Sequence, residues 1–287
     1  MDMAKVGIIG GSGLYQIDGI KGLDQVSLLT PFGQPSCNFM TGQLDGVDVV
    51  FLPRHGKGHR ISPSEINYRA NIFAMKKLGV SAIIGVSACG SLKEELKPMD
   101  FVVPDQFVDR TRNRQTSFFT DGIVVHVALA EPFSPEIRTI LVNSVKQLGL
   151  TVHNGGAYLN MEGPQFSTKA ESNVYRSWGM DIIGMTTATE AKLAREAEIS
   201  YATLCAVTDY DCWHPDHDSV TVDMILDNLR KNVDNAKKIL KLVAPQVGKL
   251  TTFSAANALA SSIVTSRDSI PELKKKELEA LIGKYVK

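Results

Sequence analysis

The 287-residue sequence lacks the features that would identify several common classes of protein. Lys plus Arg and Asp plus Glu both number 31, so the net charge is zero and no basic footprint indicates nucleic acid or an anionic membrane. The four cysteines have no CxxC spacing, which argues against a disulfide framework. No apolar run is long enough to span a membrane, and the N-terminus lacks a signal-peptide pattern. These absences favour a reduced, cytoplasmic protein.

Apolar runs and helical periodicity alternate along the chain without an internal repeat or a linker rich in Ser, Pro or Gly. Apolar runs predict strands at 5–9, 47–53, 81–87, 101–104, 122–127, 180–185 and from 201 to Asp209. Helical spacing predicts helices at 64–78, 135–148, 190–198, 222–243 and 271–285, the last with Ser269 as its cap. The alternation is typical of one α/β domain. We place it at residues 1–248, with a helical extension at 249–287 that packs on the domain or on a neighbouring subunit.

The first predicted strand ends in a glycine-rich turn, Gly10-Gly11-Ser12-Gly13. Glycines after a strand let the backbone turn tightly and expose N–H groups to an anion. The turn lacks the third glycine of a dinucleotide fingerprint, because Gln16 stands there, and it lacks the Lys-Ser/Thr pair of a P-loop. It is either a plain tight turn or a phosphate loop with Ser12 as its hydroxyl donor.

The predicted strand at 47–53 runs into a basic loop. Arg54 and His55 open a stretch of seven residues in which five side chains can carry positive charge. An Arg side chain offers a fork that matches phosphate oxygens, so we favour an anion site over a merely exposed loop. His59 follows His55 by four residues, but the glycines between them disfavour the helix that a metal-binding pair would need. We predict no metal site here.

Small or hydroxyl residues also follow two later strands. Ser87 and Ala88 follow one of them, and Thr186 follows another. Cys89 beside the first could be a nucleophile, but no base is evident nearby, and a packed, inert thiol is the better interpretation. If the strands are parallel, these residues converge with the basic loop at Arg54 and form one phosphate-sized pocket.

Two acids follow the strand that begins near Tyr201. Asp209 and Asp211 lie where this strand is predicted to end, and open α/β sheets bind ligands at the carboxyl ends of their strands. With Tyr210 and Trp213 beside them, the acids could bind a planar base and handle its protons. The segment by itself is equally compatible with a solvated Asx turn.

A phosphate pocket that faces two carboxylates and aromatic side chains favours phosphorolysis of a purine nucleoside. Phe166 is a further candidate for stacking on the base, with ordinary core packing as the alternative interpretation.

Six motifs stand in unbroken order between about residues 6 and 248. They are Gly10-Gly11-Ser12-Gly13-Leu14, Pro53-Arg54-His55-Gly56, Ala88-Cys89-Gly90-Ser91-Leu92, Glu162-Gly163-Pro164 with Phe166-Ser167, Met185-Thr186-Thr187, and Thr208-Asp209-Tyr210-Asp211-Cys212-Trp213. This ordered set resembles the methylthioadenosine phosphorylases, a family in the trimeric class of purine nucleoside phosphorylases. The resemblance implies a mixed, twisted β-sheet surrounded by helices (the nucleoside phosphorylase fold) and a homotrimer.

The resemblance also implies an activity and a set of site residues. The reaction is phosphorolysis of S-methyl-5'-thioadenosine in purine and methionine salvage, with inorganic phosphate as co-substrate and no metal or organic cofactor. Matching positions assign phosphate binding to Ser12, Arg54, His55, Ser87, Ala88 and Thr186. They assign the nucleoside to Met185 under the ribose, Phe166 against the base, and Asp209 and Asp211 at its N7 and 6-position edge. The 5'-thioether pocket matches Val222, Ile225 and Leu226, plus His126 and a C-terminal leucine from a neighbouring subunit.

In the implied mechanism, a bound phosphate dianion attacks C1' while positive charge develops on the ribose. Negative charge develops on adenine, and Asp209 stabilises it at N7 by donating or sharing a proton.

The sequence departs from the family pattern at a few positions. Ser12 and Ser87 replace threonines that are common in relatives, but each keeps a hydroxyl. Gly184 stands where animal relatives have Asn, and Thr189 stands where many have Pro.

Two alternative functions compete with this interpretation. The first is a phosphorylase of 6-oxopurine nucleosides such as inosine, guanosine or methylthioinosine, whose members carry Glu and Asn where this chain has Ser167 and Asp209. A carboxylate accepts a hydrogen bond from a 6-amino group but opposes a 6-oxo oxygen, so adenine is favoured. The second is a non-catalytic nucleotide-binding protein on the same fold.

Overall fold

A computed structural model describes residues 3–11, 14, 16–215 and 222–286, without the side chains at 222–227, 229 and 230. Within these residues one sheet contains the strands β1 (Lys5–Gly10), β2 (Ile20–Val26), β3 (Phe39–Leu44), β4 (Val47–Pro53), β5 (Val80–Ser91), β6 (Phe101–Val103), β7 (Gln106–Asp109), β8 (Val152–Asn154), β9 (Ala157–Asn160), β10 (Ile182–Gly184) and β11 (Ser200–Asp209). The helices are α1 (Tyr68–Lys77), α2 (Pro135–Gln147), α3 (Lys169–Ser177), α4 (Thr187–Glu196), α5 (Val222–Gly248), α6 (Glu272–Glu277) and α7 (Glu279–Ile282). The predicted α/β class, a mixed sheet surrounded by helices, is confirmed.

The centre of the sheet is four parallel strands in the order β4, β1, β5, β11. Successive residues of a strand face opposite sides, and both sides are covered here. Ile8 of β1 therefore belongs to a core formed with α2 and α5. Its neighbour Ile9 belongs to a second core, formed with α1, α4 and the C-terminal tail. Because most residues of these strands are buried, β1 and β4 are predominantly apolar, with Asp48 as an exposed exception in β4, which is why the sequence predicted them well.

Strand β5 is longer than the prediction, which ended it at Ser87. It continues to Ser91 because β11 remains paired with it along this stretch. Ser87 and Ala88 are therefore strand residues and not loop residues. Beyond the end of β1, the last part of β5 pairs antiparallel with β10, with Ser91 opposite Ile182 and Gly90 opposite Ile183.

The predicted helix at 64–78 and the predicted strand at 122–127 also differ in the structure. Helix α1 begins at Tyr68 and not at Ser64, because the Asn67 side chain caps it by accepting a hydrogen bond from the Ala70 N–H at 3.1 Å. Residues 122–127 were predicted as a strand but make only one bridge, between Val125 and Ile263. This segment pairs with the C-terminal tail and not with the sheet, so no ladder forms.

The C-terminal tail was predicted as one helix starting after Ser269, but it forms the two short helices α6 and α7. Ser269 belongs to a preceding 3-10 turn and caps neither helix. The predicted apolar stripe is largely buried in its own chain: Leu278 and Leu281 pack into the core around α1. Leu273, assigned to the same stripe, is 67% exposed. The division of the chain at residue 248 remains a prediction.

Truncating the tail leucines tests this packing. Leu281 is 2% exposed, so we expect Leu281→Ala to lower the free energy of unfolding by about 2–5 kcal/mol through lost burial and a cavity. The matched control Leu273→Ala should change it by less than about 0.5 kcal/mol. Urea denaturation measures both. Equal effects of the two substitutions would contradict the packing described here.

Candidate active site

Arg54 lies at the end of β4 and is 3% exposed, so its charge needs a buried partner. It donates from Nε to Glu190 Oε1 at 2.7 Å and from Nη2 to Glu190 Oε2 at 3.1 Å. Nη1 donates to the Val86 carbonyl and Nη2 to the Ile9 carbonyl. Tyr201 donates to the same glutamate at 2.8 Å. Four of the five guanidinium N–H groups are thus committed, which fixes the side chain and leaves one N–H of Nη1.

His55 follows Arg54 and stacks on His59 with ring centres 4.1 Å apart. Its Nδ1 lies 2.9 Å from the Ile61 carbonyl, and since a carbonyl only accepts, Nδ1 carries a hydrogen. Burial and then the Arg54 charge lower the pKa of His55 to about 4. His55 is therefore neutral at pH 7, and its Nε2 is a hydrogen-bond acceptor.

Helix α4 begins beside Arg54 with unpartnered hydroxyls. Thr186 is its N-cap residue but makes no capping bond. Asn160 of β9 does this instead, accepting from the Ala188 N–H at 2.8 Å. In this part of the structure Thr186, Thr187 and Thr189 carry buried hydroxyls without a hydrogen-bond partner among the described residues. Buried polar groups are normally paired, and the N-terminus of a helix favours anions, so these donors are available to an anionic ligand.

The route by which Thr186 reaches this place differs from the prediction. Parallel strands do bring Arg54 and Ser87 together, as expected. Thr186, however, follows β10, which runs antiparallel to β5. The register that places Ile183 opposite Gly90 leads the chain back towards Ser87, so the residues converge from opposite directions. Ser12 lies outside the described residues.

Asp209 is placed by a β-bulge at the end of β11. The register with β5 shifts between Val207 and Asp209, which leaves Thr208 as the extra residue; bulges commonly re-aim side chains next to sites. The Thr208 hydroxyl donates to Asp209 Oδ2 at 2.7 Å, and the Asp211 N–H donates to Oδ1 at 2.8 Å. A Cβ at position 90 would lie only 2.9 Å from Asp209 Oδ1. Because this residue is glycine, β5 has room for the carboxylate.

The segment with Asp209 and Asp211 was predicted either as a base-binding site or as a solvated Asx turn, and the structure has features of both. The bond from the Asp211 N–H is of the Asx type, but the turn is not solvated, since Asp209 and Asp211 are each 8% exposed. Burial raises the pKa of Asp209, against hydrogen bonds from Thr208 and Asp211. Asp211 has φ of +52°, in the left-handed region that Asp adopts more readily than most residues.

The loop that carries Phe166 reaches the acidic segment. The Cys212 thiol donates to the Ser167 carbonyl at 3.3 Å. Burial raises the pKa of Asp211, and the Cys212 thiol lies 3.9 Å from its Oδ2. Phe166 is 48% exposed and is not a core residue. It therefore remains available for stacking on a ligand.

Tyr210 and Trp213 do not flank an open base site as the sequence suggested. Both rings are buried against Leu92 and Met180. Trp213 donates from Nε1 to the Ser91 carbonyl at 2.8 Å. Their role is to hold the acidic segment on the end of β5.

Arg114 is a central residue that the sequence analysis did not single out. It donates from Nε to Glu162 Oε1 at 3.0 Å, from Nη2 to the Glu162 carbonyl at 2.6 Å, and from Nη1 to the Met185 carbonyl and the Tyr68 hydroxyl. It thereby ties Met185 to the loop that precedes Phe166. The signal in the sequence was its position in an Arg-rich segment between strands, but only the fold reveals its partners.

Other predicted residues lie apart from this group or outside the described part. His126 is exposed, and its backbone N–H donates to the Ser262 carbonyl of the tail at 2.9 Å. The side chains of Val222, Ile225 and Leu226 are outside the description, although α5 starts at Val222. In the described ranges, no group of three or more His, Cys, Asp or Glu side chains is arranged to hold a metal ion. None of the helices described is long and apolar enough to cross a membrane.

Two groups of residues therefore lie along β5. Arg54 donates to the Val86 carbonyl, next to Ser87, and bonds Glu190 near the start of α4, whereas Asp209 lies against Gly90. Three residues of strand separate Ser87 from Gly90 by about 10 Å. Met185 lies between the two groups in sequence and is fixed by Arg114. The site thus has an anion-binding end and an acidic end, and both lie along strand β5.

Comparison with known proteins defines the class. The profile of the Phosphorylase superfamily matches residues 5–244, and this chain belongs to that superfamily. It is 52% identical over 282 residues to S-methyl-5'-thioadenosine phosphorylase of Koribacter versatilis, covering 98% of this chain and 97% of the relative. It is 53% identical over 287 residues to S-methyl-5'-thioadenosine phosphorylase of Thermosynechococcus vestitus, covering 99% of each.

Solved structures similar to this chain belong to the same family as these relatives. A methylthioadenosine phosphorylase sourced from an antarctic soil metagenomic library superposes with a TM-score of 0.93 at 47% identity, covering 98% of this chain and 99% of that one. A variant of the adenosine/methylthioadenosine phosphorylase of Schistosoma mansoni, in complex with adenine, gives 0.86 at 40% identity, covering 91% and 99%. The family resemblance of the sequence motifs is confirmed.

The interaction of Glu162 with Arg114 predicts a pH dependence of stability. Hydrogen bonds from the Arg112 N–H, Ser64 and Arg114 outweigh burial and lower the pKa of Glu162 from 4.5 to about 2. Its stabilisation is therefore complete above about pH 4.5 and is lost as the pH falls towards about 2. We expect Glu162→Gln to lower the free energy of unfolding by about 1–3 kcal/mol at pH 7, and by less at pH 3.5.

Urea denaturation at the two pH values gives this difference. Glu277→Gln, which removes a surface ion pair with Lys274, is the matched control and should change stability by less than about 0.5 kcal/mol. A difference between wild type and Glu162→Gln that does not shrink at low pH would refute the linkage.

Proposed function

We propose that this chain cleaves S-methyl-5'-thioadenosine with inorganic phosphate, giving adenine and S-methyl-5-thio-α-D-ribose 1-phosphate. The observation that carries the proposal is that two kinds of group lie along strand β5. Unpartnered buried hydroxyls lie near Arg54, and two buried carboxylates lie further along the strand. The names of the relatives support the same substrate. As in the family, we expect phosphate to be a co-substrate and no metal or organic cofactor to take part.

The proposed phosphate site is Ser12, Arg54, His55, Ser87, Ala88 and Thr186. The Arg54 charge is already paired with the Glu190 carboxylate, so much of the binding must come from neutral donors and from the start of α4. His55 is neutral and offers Nε2 as an acceptor, which suits the protonated oxygen of monohydrogen phosphate. The remaining phosphate oxygens are then directed to the donors and to C1'.

The proposed nucleoside site is Met185 under the ribose, Phe166 on the base, and Asp209 and Asp211 along the base edge. Asp209 assists departure of adenine by donating a proton at N7. Its raised pKa suits this role, because a larger fraction is protonated near neutral pH than for an exposed Asp. Each carboxyl oxygen accepts one hydrogen bond in the structure and has a second lone pair, so the proton can be held without breaking either bond.

The competing 6-oxopurine reaction is disfavoured by the same acids. Asp209 and Asp211 are both buried, and a 6-oxo oxygen beside them would face carboxylate oxygens as acceptor against acceptor. Adenosine is a second candidate substrate, because the Schistosoma mansoni relative is named an adenosine/methylthioadenosine phosphorylase. A purely nucleotide-binding function would leave Asp209 without a role.

One assay separates these possibilities. The purified chain is incubated with methylthioadenosine, adenosine or methylthioinosine, each with and without phosphate, and the free base is measured by chromatography. We expect adenine to be released from methylthioadenosine only when phosphate is present. Release without phosphate would indicate a hydrolase, a preference for methylthioinosine would indicate the 6-oxopurine branch, and no release would indicate a binding protein.

Replacement of Asp209 tests its role as the acid. We expect Asp209→Asn to lower kcat by about 10²–10⁴-fold and to leave the affinity for phosphate within twofold, because the base edge is affected and the anion end is not. In the wild type, kcat should fall as the pH rises through the raised pKa of Asp209, since the acid must be protonated. This limb of the pH profile should be absent in the variant.

Asp45→Asn is the control for this substitution. Asp45 lies in the exposed turn between β3 and β4 with φ of +48°, a conformation that Asn tolerates well, so activity should be unchanged. Near-normal turnover of Asp209→Asn would assign the proton to Asp211 or to water.

We further propose a cytoplasmic homotrimer whose thioether pocket is completed across the subunit interface. The four cysteines are free thiols, in keeping with a reducing compartment. His126 is exposed and held by the tail, a position from which it can reach a neighbouring subunit. In the site of one subunit it would adjoin Val222, Ile225 and Leu226, with a tail leucine beside it. Leu278 and Leu281 are buried within their own subunit, so the exposed Leu273 is the better candidate for that leucine.

His126→Ala tests the shared site. We expect the KM for methylthioadenosine to rise about threefold to tenfold, with the KM for phosphate unchanged and the trimer intact by light scattering. His153→Ala, on β8, is the control and should change neither KM. A fully active monomer would rule out the shared pocket.

A further inference from the structure

Two asparagine side chains of α5 bind the backbone of the bulge that places Asp209. Asn228 donates from Nδ2 to the Thr208 carbonyl at 2.8 Å, and Asn232 donates from Nδ2 to the Val207 carbonyl at 3.2 Å. The two asparagines are four positions apart, so they lie on one face of the helix. One face of α5 therefore holds the two successive carbonyls that directly precede Asp209.

The bulge explains why a helix can reach these carbonyls. In a regular strand the carbonyls accept hydrogen bonds from neighbouring strands. Thr208 is the extra residue of the bulge, and such a residue is left unpaired in the ladder. Because Thr208 is buried, its carbonyl needs a donor from elsewhere, and Asn228 supplies it. The amide thus fixes the backbone of the residue whose hydroxyl donates to Asp209.

Asn232 is not explained by stability. It is 1% exposed, and its Oδ1 is buried without a hydrogen-bond partner among the described residues. The Val207 carbonyl does not depend on it, because the Met99 N–H already donates to that carbonyl at 2.9 Å. An unpartnered buried acceptor lowers stability, and a leucine, which is branched at the same carbon, would avoid that cost. The amide at this position therefore indicates a role other than stability.

The helix that carries the two amides is anchored in the core. Ala236, Ile239 and Leu240 of α5 are each at most 1% exposed. They belong to the same core cluster as Ile8 of β1. The two asparagines therefore hold the bulge against a buried support.

We propose that Asn228 and Asn232 are positioning residues for Asp209: their amides hold the Thr208 bulge so that the carboxyl group meets N7 of the departing adenine. The proposal rests on the proposed function and adds two residues to its acidic end. A general acid must lie within about 2.6–3.2 Å of the atom that it protonates. A shift of the Thr208 backbone displaces the next residue, and a displacement of about 1 Å can lower a rate by about 10²-fold.

Asn232→Leu separates positioning from packing. We expect its Tm to equal or exceed that of the wild type, because the unpartnered oxygen is removed. Its kcat should fall about threefold to tenfold, the value of one net hydrogen bond. The KM for methylthioadenosine should change less than kcat, because N7 receives the proton only as the bond to C1' breaks. A lower Tm with an unchanged kcat would overturn the proposal.

Asn228→Ala tests the other amide without disturbing the centre of the core, since Asn228 is only half-buried. We expect kcat to fall by a similar factor, about threefold to tenfold, and the Kd of phosphate to stay within twofold of the wild type. Asn235→Ala is the matched control, because it makes the same substitution at a half-buried position of the same helix. It should leave kcat unchanged.

A double-mutant cycle with Asp209→Ala tests the route through the acid. Once the carboxyl group is absent, its placement no longer affects the reaction. Adding Asn228→Ala or Asn232→Leu to Asp209→Ala should therefore lower kcat by less than twofold further. Fully additive effects would show that the asparagines act elsewhere and would overturn the proposal.

Binding of adenine to the free enzyme separates this inference from the proposed function. We expect the Kd of adenine, measured by calorimetry, to rise about threefold to tenfold in Asn228→Ala. If the wild type releases adenine only with phosphate and both variants match it in kcat, the role of the asparagines is refuted and the function stands. If the wild type binds adenine but releases none from methylthioadenosine, the function is refuted. Adenine binding by the variants then still tests the placement of Asp209, and an unchanged Kd would refute it.

Discussion

The buried ion pair between Arg54 and Glu190 is the interaction on which the anion end of the site depends. A guanidinium that is 3% exposed is tolerated only because a carboxylate lies 2.7 Å away and two strand carbonyls each accept one of its other N–H groups. Glu190 belongs to the first turns of α4, so the pair fixes that helix against the ends of β1, β4 and β5. The start of α4, with its unpartnered hydroxyls, is thereby held near Arg54. Tyr201 of β11 completes the arrangement by donating to Glu190.

The acidic end is built by irregularities in the sheet. A regular β11 would alternate its side chains to the end, but the bulge at Thr208 turns Asp209 towards β5. The same stretch of β5 pairs antiparallel with β10, which brings Met185 and Thr186 back along it. Arg114 then attaches the loop that carries Phe166 to Met185. A mixed sheet thus does what a purely parallel one could not, since it lets residues from oppositely directed strands meet at one place.

The sequence predicted the elements whose signals are local. The range of β4 agrees with the prediction at both ends because the strand carries an apolar run from Val49 to Pro53, and α2 begins at Pro135 after the cap Ser134. The exposed strand β2 was missed, because a polar strand carries no such run. Helix α3 was also missed, although Thr168 and Glu171 form a capping box that the sequence displays. Residues 122–127 were misassigned, since an apolar segment can equally pair with the tail.

By itself the sequence determined the fold class, the family and the residue types of the candidate site, because these follow from local patterns and from motifs in a fixed order. The tertiary structure alone decided which groups meet. Glu190 lies 136 positions from Arg54, and Glu162 lies 48 positions from Arg114, so no local sequence pattern predicts either ion pair. Gly184 looked like a departure from the pattern until the Tyr158 hydroxyl was found in the space of its missing side chain. Contacts of this kind depend on strand register and on ring placement to within an ångström or two, and a sequence states neither.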